Sequence, residues 1–311
     1  MLQPYVINGV KTSVGEIPQG VLSIKAPDMW AGGIDGSGVI IAVLDSGCQP
    51  DHPDLVSQII GGINWTNEDG GDWNRFDDYF GHGTHCAGVA VARHNQDGIV
   101  GVAPGAKILV VKVLGAGGVG IPGNIVQGYE WAIRWRGPNG ERVNVVSMSL
   151  ALEYELQPLR DAIIKAQAEG VLTVTASGNN GDGNANTDEK RYPGAWPEVL
   201  EVGAFNLYSY TDSYFSNSNS NVAIVAPGEL VTSTYINSSY ATLSGTSMAT
   251  PHVAGAAALC LQQFRRDNGR DPSWQEFYND VVSRSSNLYG DKRIEGTGLL
   301  NLLMGYRPHN P

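Results

Sequence analysis

Six apolar runs punctuate the chain, at residues 39–44, 108–113, 143–146, 171–176, 199–204 and 222–226, and helical patterns lie between them. The run Val39-Ile40-Ile41-Ala42-Val43-Leu44 is continuous rather than alternating. Continuous apolarity predicts strands covered on both faces, and so a mostly parallel sheet with helices on either side. Helices are predicted over 83–92, 123–136, 156–169 and 248–266, with one more near 273–283. The fold class that follows is α/β, a three-layer, doubly wound, mostly parallel sheet. Residues 1–19 predict an extended arm ahead of a domain spanning 20–311, and the tail after about residue 298 predicts surface packing only. In open sheets of this kind ligands sit outside the carboxyl ends of the strands. Asp45, Ser149 and Asn179 fall at such ends.

Composition narrows this picture without altering it. Of 311 residues, 42% are hydrophobic and 16% charged, the balance of a globular protein long enough for one large domain. The 40 glycines follow no repeat period, which excludes collagen-like and low-complexity chains. A net charge of −11 without a Lys/Arg cluster argues against a nucleic-acid partner. No stretch approaches the roughly 18–20 apolar residues of a membrane span. The first eight residues show neither the basic start nor the apolar segment of a signal peptide. Three cysteines, Cys48, Cys86 and Cys260, lack any disulfide framework spacing, and so suggest free thiols in a reducing compartment. A cytoplasmic location is expected.

Three segments carry the residue types of nucleophilic catalysis. Gly245-Thr246-Ser247-Met248-Ala249 sets a serine where a turn enters an apolar helix, His82 opens a helix of small residues, and Asp45 closes a buried strand. A serine hydroxyl needs a base at neutral pH, and the base needs a carboxylate to hold its tautomer. Position 249 is Ala, so the Gly-x-Ser-x-Gly elbow of α/β-hydrolases is excluded. Plainer readings stand beside these: Ser247 as a helix N-cap, and Asp45 as a turn residue ahead of Gly47. His85 shares a helical face with His82, and spacing alone does not separate them; Asp51 and Asp54 compete with Asp45. A His-Glu-x-x-His zinc motif is absent, and His52 and His252 read as structural. Asn179, in Ala176-Ser177-Gly178-Asn179-Asn180, can aim an amide at an oxyanion beside the Ser247 N–H, or simply form an Asn-rich turn. The acidic residues Glu68, Asp69, Asp72, Asp77 and Asp78 read as a solvated loop, and Cys48 and Cys86 as packed core thiols.

Taken jointly, and in the chain order Asp, His, Ser, these segments closely resemble the subtilisin-like serine proteases, the subtilases. The resemblance extends from about Gly20 to Arg266. It implies a subtilisin-like fold and a serine endopeptidase acting through an acyl-enzyme on extended or unfolded polypeptides. Asp45, His82 and Ser247 would form the triad, with Asn179 in the oxyanion hole. Gly118-Val119-Gly120 and Ser149-Leu150-Ala151 match the family's two edge segments, which pair with substrate backbone by β-augmentation. Asn180 and Arg191 align with pocket-rim positions, and Ala151-Leu152 stands where the family usually has Gly-Gly. The competing function is a catalytically silent peptide-binding module on the same fold.

The resemblance also implies cation sites and an inhibitory segment. Asp54 and Asn95, with backbone carbonyls of Arg93, Asp97 and Ile99, match the family's strong calcium loop, an oxygen-rich shell suited to Ca2+. The family's N-terminal glutamine ligand falls near Gly15. A second, weaker Ca2+ or Na+ site would use carbonyls of Gly194 and Trp196, but its usual aspartate aligns with Ala223, so that site is either lost or left to a monovalent ion. No organic cofactor is expected. Leu2-Gln3-Pro4-Tyr5 is similar to the Leu-Ile-Pro-Tyr element of bacterial intracellular subtilisins, whose short pro-segment lies across the cleft until it is cut away. That subfamily is commonly dimeric. The arm, polypeptide substrates and a second copy of the chain are therefore the expected partners.

Overall fold

A computed structural model describes residues 6–11, 17–95, 97–288 and 290–305 of the chain. The strands, in chain order, are β1 (Val6–Lys11), β2 (Ile40–Asp45), β3 (Ile59–Asn64), β4 (Lys107–Lys112), β5 (Val145–Met148), β6 (Leu172–Ala176), β7 (Leu200–Asn206), β8 (Thr211–Asp212), β9 (Val222–Pro227), β10 (Val231–Tyr235), β11 (Ser239–Ser244), β12 (Ser285–Ser286) and β13 (Leu299–Leu300). The helices are α1 (Gln19–Ser23), α2 (Ala26–Ala31), α3 (His82–Val91), α4 (Pro122–Arg134), α5 (Gln157–Ala168), α6 (Thr246–Asn268), α7 (Trp274–Ser283) and α8 (Lys292–Glu295).

The main sheet runs β12-β13-β9-β7-β6-β5-β2-β4-β3, and every pairing from β13 through to β3 is parallel. Its central strands β2, β5 and β6, with β9, are buried on both faces. In β2, Ile41 and Val43 join a core with Ala87 and Ala90 of α3 and Val253 and Ala257 of α6. Ile40, Ala42 and Leu44 face the opposite core, with Ile125 and Tyr129 of α4 and Leu159 and Ile163 of α5. Two-sided cover is why β2 lacks polar alternation.

A smaller antiparallel sheet, β1-β11-β10, stands apart from the main one. Its Ser- and Thr-rich strands, such as Val231-Thr232-Ser233-Thr234-Tyr235, give no apolar run to read. The tail departs from the surface packing expected of it. Leu299 and Leu300 form β13 beside β9, and Leu300 and Leu302 are buried in the core. Their apolar side chains gain more from that burial than two short strands cost to order.

Among the described residues, no helix is long and apolar enough to cross a membrane.

Candidate active site

Strand order alone gathers the candidate residues at one rim. From β2 the chain runs out to β3, returns to β4 beside β2, and then crosses to β5 on its other side. Asp45 ends β2 at this topological switch point. Ser149 follows β5, Asn179 lies just beyond β6, and the Gly118-Val119-Gly120 turn follows β4. The two edge segments thus leave strands that flank Asp45. Val119 is exposed, whereas Leu150 and Ala151 are buried. Leu152 exchanges backbone hydrogen bonds with Tyr192, which closes the chain behind that segment. Asn180 is exposed, and its N–H donates to Asn217 Oδ1.

His82 is the first residue of α3, and its Nδ1 lies 2.7 Å from Asp45 Oδ1. That oxygen also accepts from the Ser46 N–H at 2.7 Å. Two glycines permit the approach. Gly81 holds φ +92° against the Tyr235 ring, and a Cβ on Gly83 would strike the Gly47 carbonyl oxygen just past Asp45. Asp78 fixes the same junction. Its buried carboxylate accepts from Ser46 Oγ, the Phe80, Gly81 and Thr84 N–H groups, and Thr84 Oγ1. Ser46 Oγ in turn accepts from the Gly83 N–H. The expectation of a solvated loop therefore fails at Asp78, which the backbone donors of α3 draw inward. It fails at Glu68 as well. Buried Lys112 pairs with Glu68 at 2.8 Å while donating to the Ser46 and Asp77 carbonyls, and Glu68 accepts from the Ala116 N–H at the start of the edge turn.

Ser247 occupies the first turn of α6, and Pro251 lies four residues on. Proline has no N–H to return to the Ser247 carbonyl. That carbonyl instead accepts from Ser149 Oγ at 3.0 Å and Cys86 Sγ at 3.4 Å. Cys86 Sγ is also 3.8 Å from His82 Nδ1, so one thiol touches both the imidazole and the serine backbone. Ser247 Oγ lies 3.3 Å from the Ser149 carbonyl. Asn179 Oδ1 accepts from the Thr246 N–H and Oγ1, each at 2.8 Å.

The histidines separate by environment. Burial is the largest single influence on His82 and opposes its charge, yet Asp45 and Cys86 together outweigh it and hold the imidazole pKa well above the ordinary value. His85 is pushed down to about 3, chiefly by burial, and its Nε2 sits between the Val231 and Ala241 carbonyls. It ties α3 to the β10–β11 hairpin. His252 is also lowered by burial, to about 4, and meets the Met248 carbonyl; His52 meets that of Ser239. Among the described histidines only His82 pairs with a carboxylate, and the carboxylate is Asp45 rather than Asp51 or Asp54.

Residues 36–298 match the model of the subtilase family. The chain belongs to that family. It is 46% identical to an intracellular serine protease of Paenibacillus polymyxa, over 96% of this chain and 89% of that protein. Identity to the major intracellular serine protease of Bacillus subtilis (strain 168) is 43%, over 97% and 92% of the two chains. Identity to subtilisin Savinase of Lederbergia lenta is 41%, over 92% and 97%. The protein is a subtilisin-type serine endopeptidase, a hydrolase.

Of the residues expected to hold calcium, Arg93, Asn95 and Ile99 contact Asp54. This buried carboxylate pairs with no lysine or arginine among the described residues. It accepts from Asn95 Nδ2 at 2.6 Å, the Ile99 N–H at 3.1 Å and Tyr240 Oη at 2.9 Å. Arg93 and Asp97 are exposed, and the Arg93 N–H donates to the Asp54 carbonyl. The oxygens of Asp54 and Asn95 are of the kind a hard cation takes, but Asn95 Oδ1 here accepts from the Asp97 and Gly98 N–H groups, so ligation would require that amide to turn over. Gly194 packs against the buried Glu201 carboxyl, and Trp196 is buried two residues on. Leu2, Gln3, Pro4, Tyr5 and Gly15 lie outside the described residues. Sequence reasoning gave Asp78 and Glu68 only a place in a solvated loop, and Lys112 and Pro251 no role. Pro251 alone left a signal there, as a proline inside a helical pattern.

Proposed function

We propose that this subtilase hydrolyses extended or unfolded polypeptides inside the cell, through Asp45, His82 and Ser247. The observation that carries the reading is the 2.7 Å contact between His82 Nδ1 and Asp45 at the rim where α6 presents Ser247. Asp45 holds the Nδ1–H tautomer, which leaves Nε2 to take the Ser247 proton as Oγ attacks the scissile carbonyl. The proton passes from Nε2 to the leaving amine, and water then cleaves the acyl-enzyme by the same route. Asn179 and the Ser247 N–H stabilise the oxyanion. In subtilisin itself, loss of one such donor costs about 10²–10³ in kcat. The segments 118–120 and 149–151 pair with substrate backbone on either side, and Asn180 lies at the pocket rim.

The proposal includes a zymogen. Val6 of β1 pairs with Ser244, three residues before Ser247, and this nearness supports the reading. Leu2, Gln3, Pro4 and Tyr5 then occupy the cleft until they are cut away. An intracellular location accords with the relatives' names. A structural Ca2+ at Asp54, Asn95 and the carbonyls of Arg93, Asp97 and Ile99 would brace the loop against the Asp54 segment. A weaker Ca2+ or Na+ site at Gly194 and Trp196, and a homodimer, complete the proposal.

One experiment tests the core of it. A phosphonylating reagent should label Ser247 and abolish casein cleavage, and removal of residues 1–5 should speed both. Chelation should lower the melting temperature without changing the labelled residue. A folded, trimmed chain that takes no label would instead be the silent binding module.

A further inference from the structure

We propose that Glu68 is a positioning residue for substrate: it anchors the turn that presents residues 118–120 and ties that turn to the segment carrying Asp45. The proposal rests on the reading of 118–120 as a segment that pairs with substrate backbone.

Lys112, the last residue of β4, is fully buried. A buried ammonium needs a counter-charge to stay ionised, and Glu68 Oε2 supplies it at 2.8 Å. The same ammonium donates to the carbonyls of Ser46 at 2.9 Å and Asp77 at 2.6 Å. Ser46 follows Asp45, and its N–H donates to the Asp45 carboxylate. The backbone repeats the tie, for the Asp45 carbonyl accepts from the Val113 and Leu114 N–H groups just past Lys112. One buried charge thus holds Glu68 against the segment that carries Asp45.

The other Glu68 oxygen, Oε1, accepts from the Ala116 N–H at 2.6 Å. Ala116 is the second residue of a turn closed by the Gly118 N–H, which donates to the Gly115 carbonyl at 2.8 Å. The Gly115 N–H donates in turn to the Val119 carbonyl at 3.0 Å. Both bonds lie inside the turn, so they set its shape and not its direction. Among the described residues, the Ala116 bond is the one by which residues 115–119 reach beyond themselves. A hydrogen bond to an ionised carboxylate is about twice as strong as a neutral one, which makes Glu68 a firm anchor. Its own backbone is held too, because Asn64 Nδ2 at the end of β3 donates to the Glu68 carbonyl at 3.4 Å. A segment directed before substrate arrives costs less to order on binding, so Glu68 raises the worth of every backbone contact made along 118–120.

The test uses the full chain, incubated until its activity is constant, and two substrates. One is acetyl-leucine p-nitroanilide; the other extends the same leucine by three alanines on the acyl side, the part held while the acyl-enzyme persists. Wild type should cleave the longer one with the higher kcat/KM, and the ratio of the two is the readout. General damage to the fold lowers both rates and leaves the ratio alone. Lys112→Met combined with Glu68→Leu removes the ion pair and the acceptor together, an exchange for apolar groups that is often neutral for stability. Its ratio should fall by about 10-fold, the scale of one backbone hydrogen bond. Lys112→Met combined with Glu68→Gln removes the same charges but leaves an oxygen for Ala116, and should keep most of the ratio. Ala116→Pro removes the donor instead and spares the ion pair. Proline suits the second position of a turn, so this variant serves if the leucine form melts early. Equal losses in the leucine and glutamine forms, or an unchanged ratio in the leucine and proline forms, overturn the role of Glu68. A wild type that cleaves both substrates and gains nothing from length refutes pairing along 118–120, and the role of Glu68 with it.

Discussion

At His82, two opposing effects meet within one contact. Burial disfavours the imidazolium more than any single neighbour favours it, but Asp45 at 2.7 Å and Cys86 together prevail. The base acts only when neutral, so its raised pKa sets where activity appears as pH climbs. The acid limb of kcat/KM reports that pKa in the free enzyme. It should lie above the ordinary imidazole value of 6.5. Asp45→Asn should move the limb downward, because the stabilising charge is gone. It should also lower kcat by about 10⁴, the effect the same change has in a triad on another fold. A limb that stays in place in the asparagine variant would show that Asp45 does not set the charge on His82. Asp78 works at the same scale by other means. It touches neither His82 nor Ser247, yet its five donors fix Ser46, Gly81 and Thr84 around them.

Among the elements, α6 contributes most to the site, through an interruption rather than through regularity. An α-helix would normally return the N–H of residue 251 to the carbonyl of residue 247. Pro251 withholds it, and Ser149 and Cys86 donate in its place. One missing donor thus joins the nucleophile's backbone to β5 and α3. Pro251→Ala restores a competing N–H. Its expected effect is a drop in kcat on the order of 10- to 100-fold, within what about 1 Å of misplacement can cost. The helix itself should be no less stable, since proline is the poorest interior helix former. Kinetics and a thermal melt on one sample check both halves. Unchanged kcat would mean that the Ser149 and Cys86 contacts do not position Ser247. The hairpin of β10 and β11 supports the other side, for His85 anchors α3 to both of its strands.

For the whole molecule, the sheet carries one group that opposes its own stability. Glu201 lies in β7, fully buried, with Asn219 donating to Oε1 and no partner for Oε2 among the described residues. Desolvation pushes its pKa up to about 8, from an ordinary 4.5. The folded state therefore holds this proton more tightly than the unfolded chain does. The associated stability is complete below about pH 4.5 and is lost as pH rises through about 8. Glu201→Gln keeps the Asn219 contact and cannot ionise. Wild type should lose melting temperature relative to this variant between pH 5 and pH 9. Parallel curves for the two proteins would show that Glu201 ionises freely, or is neutralised by a cation near Gly194.

Much of this arrangement was legible in the residues themselves. The continuous run at 39–44 pointed to a strand covered twice, because burial on both faces leaves no place for polar alternation. The small-residue helix after His82 and the apolar helix after Ser247 could be read equally directly. Other parts left no local trace. β3 is broken by Gly61 and Gly62, and β10 and β11 take their order from pairing rather than from an apolar period. Two histidines on one helical face, and carboxylates at 45, 51 and 54, were equivalent along the chain. Only the fold set His82 against Asp45 and turned His85 toward backbone carbonyls. Likewise Asp78 and Glu68 looked like surface charge until α3 and Lys112 supplied their partners. Sequence by itself determined which residue types were present, their order, and which segments had to be buried, since those depend on neighbours along the backbone. Tertiary structure decided which groups touch, because a side chain's ionisation and reach are set by atoms that folding brings from elsewhere.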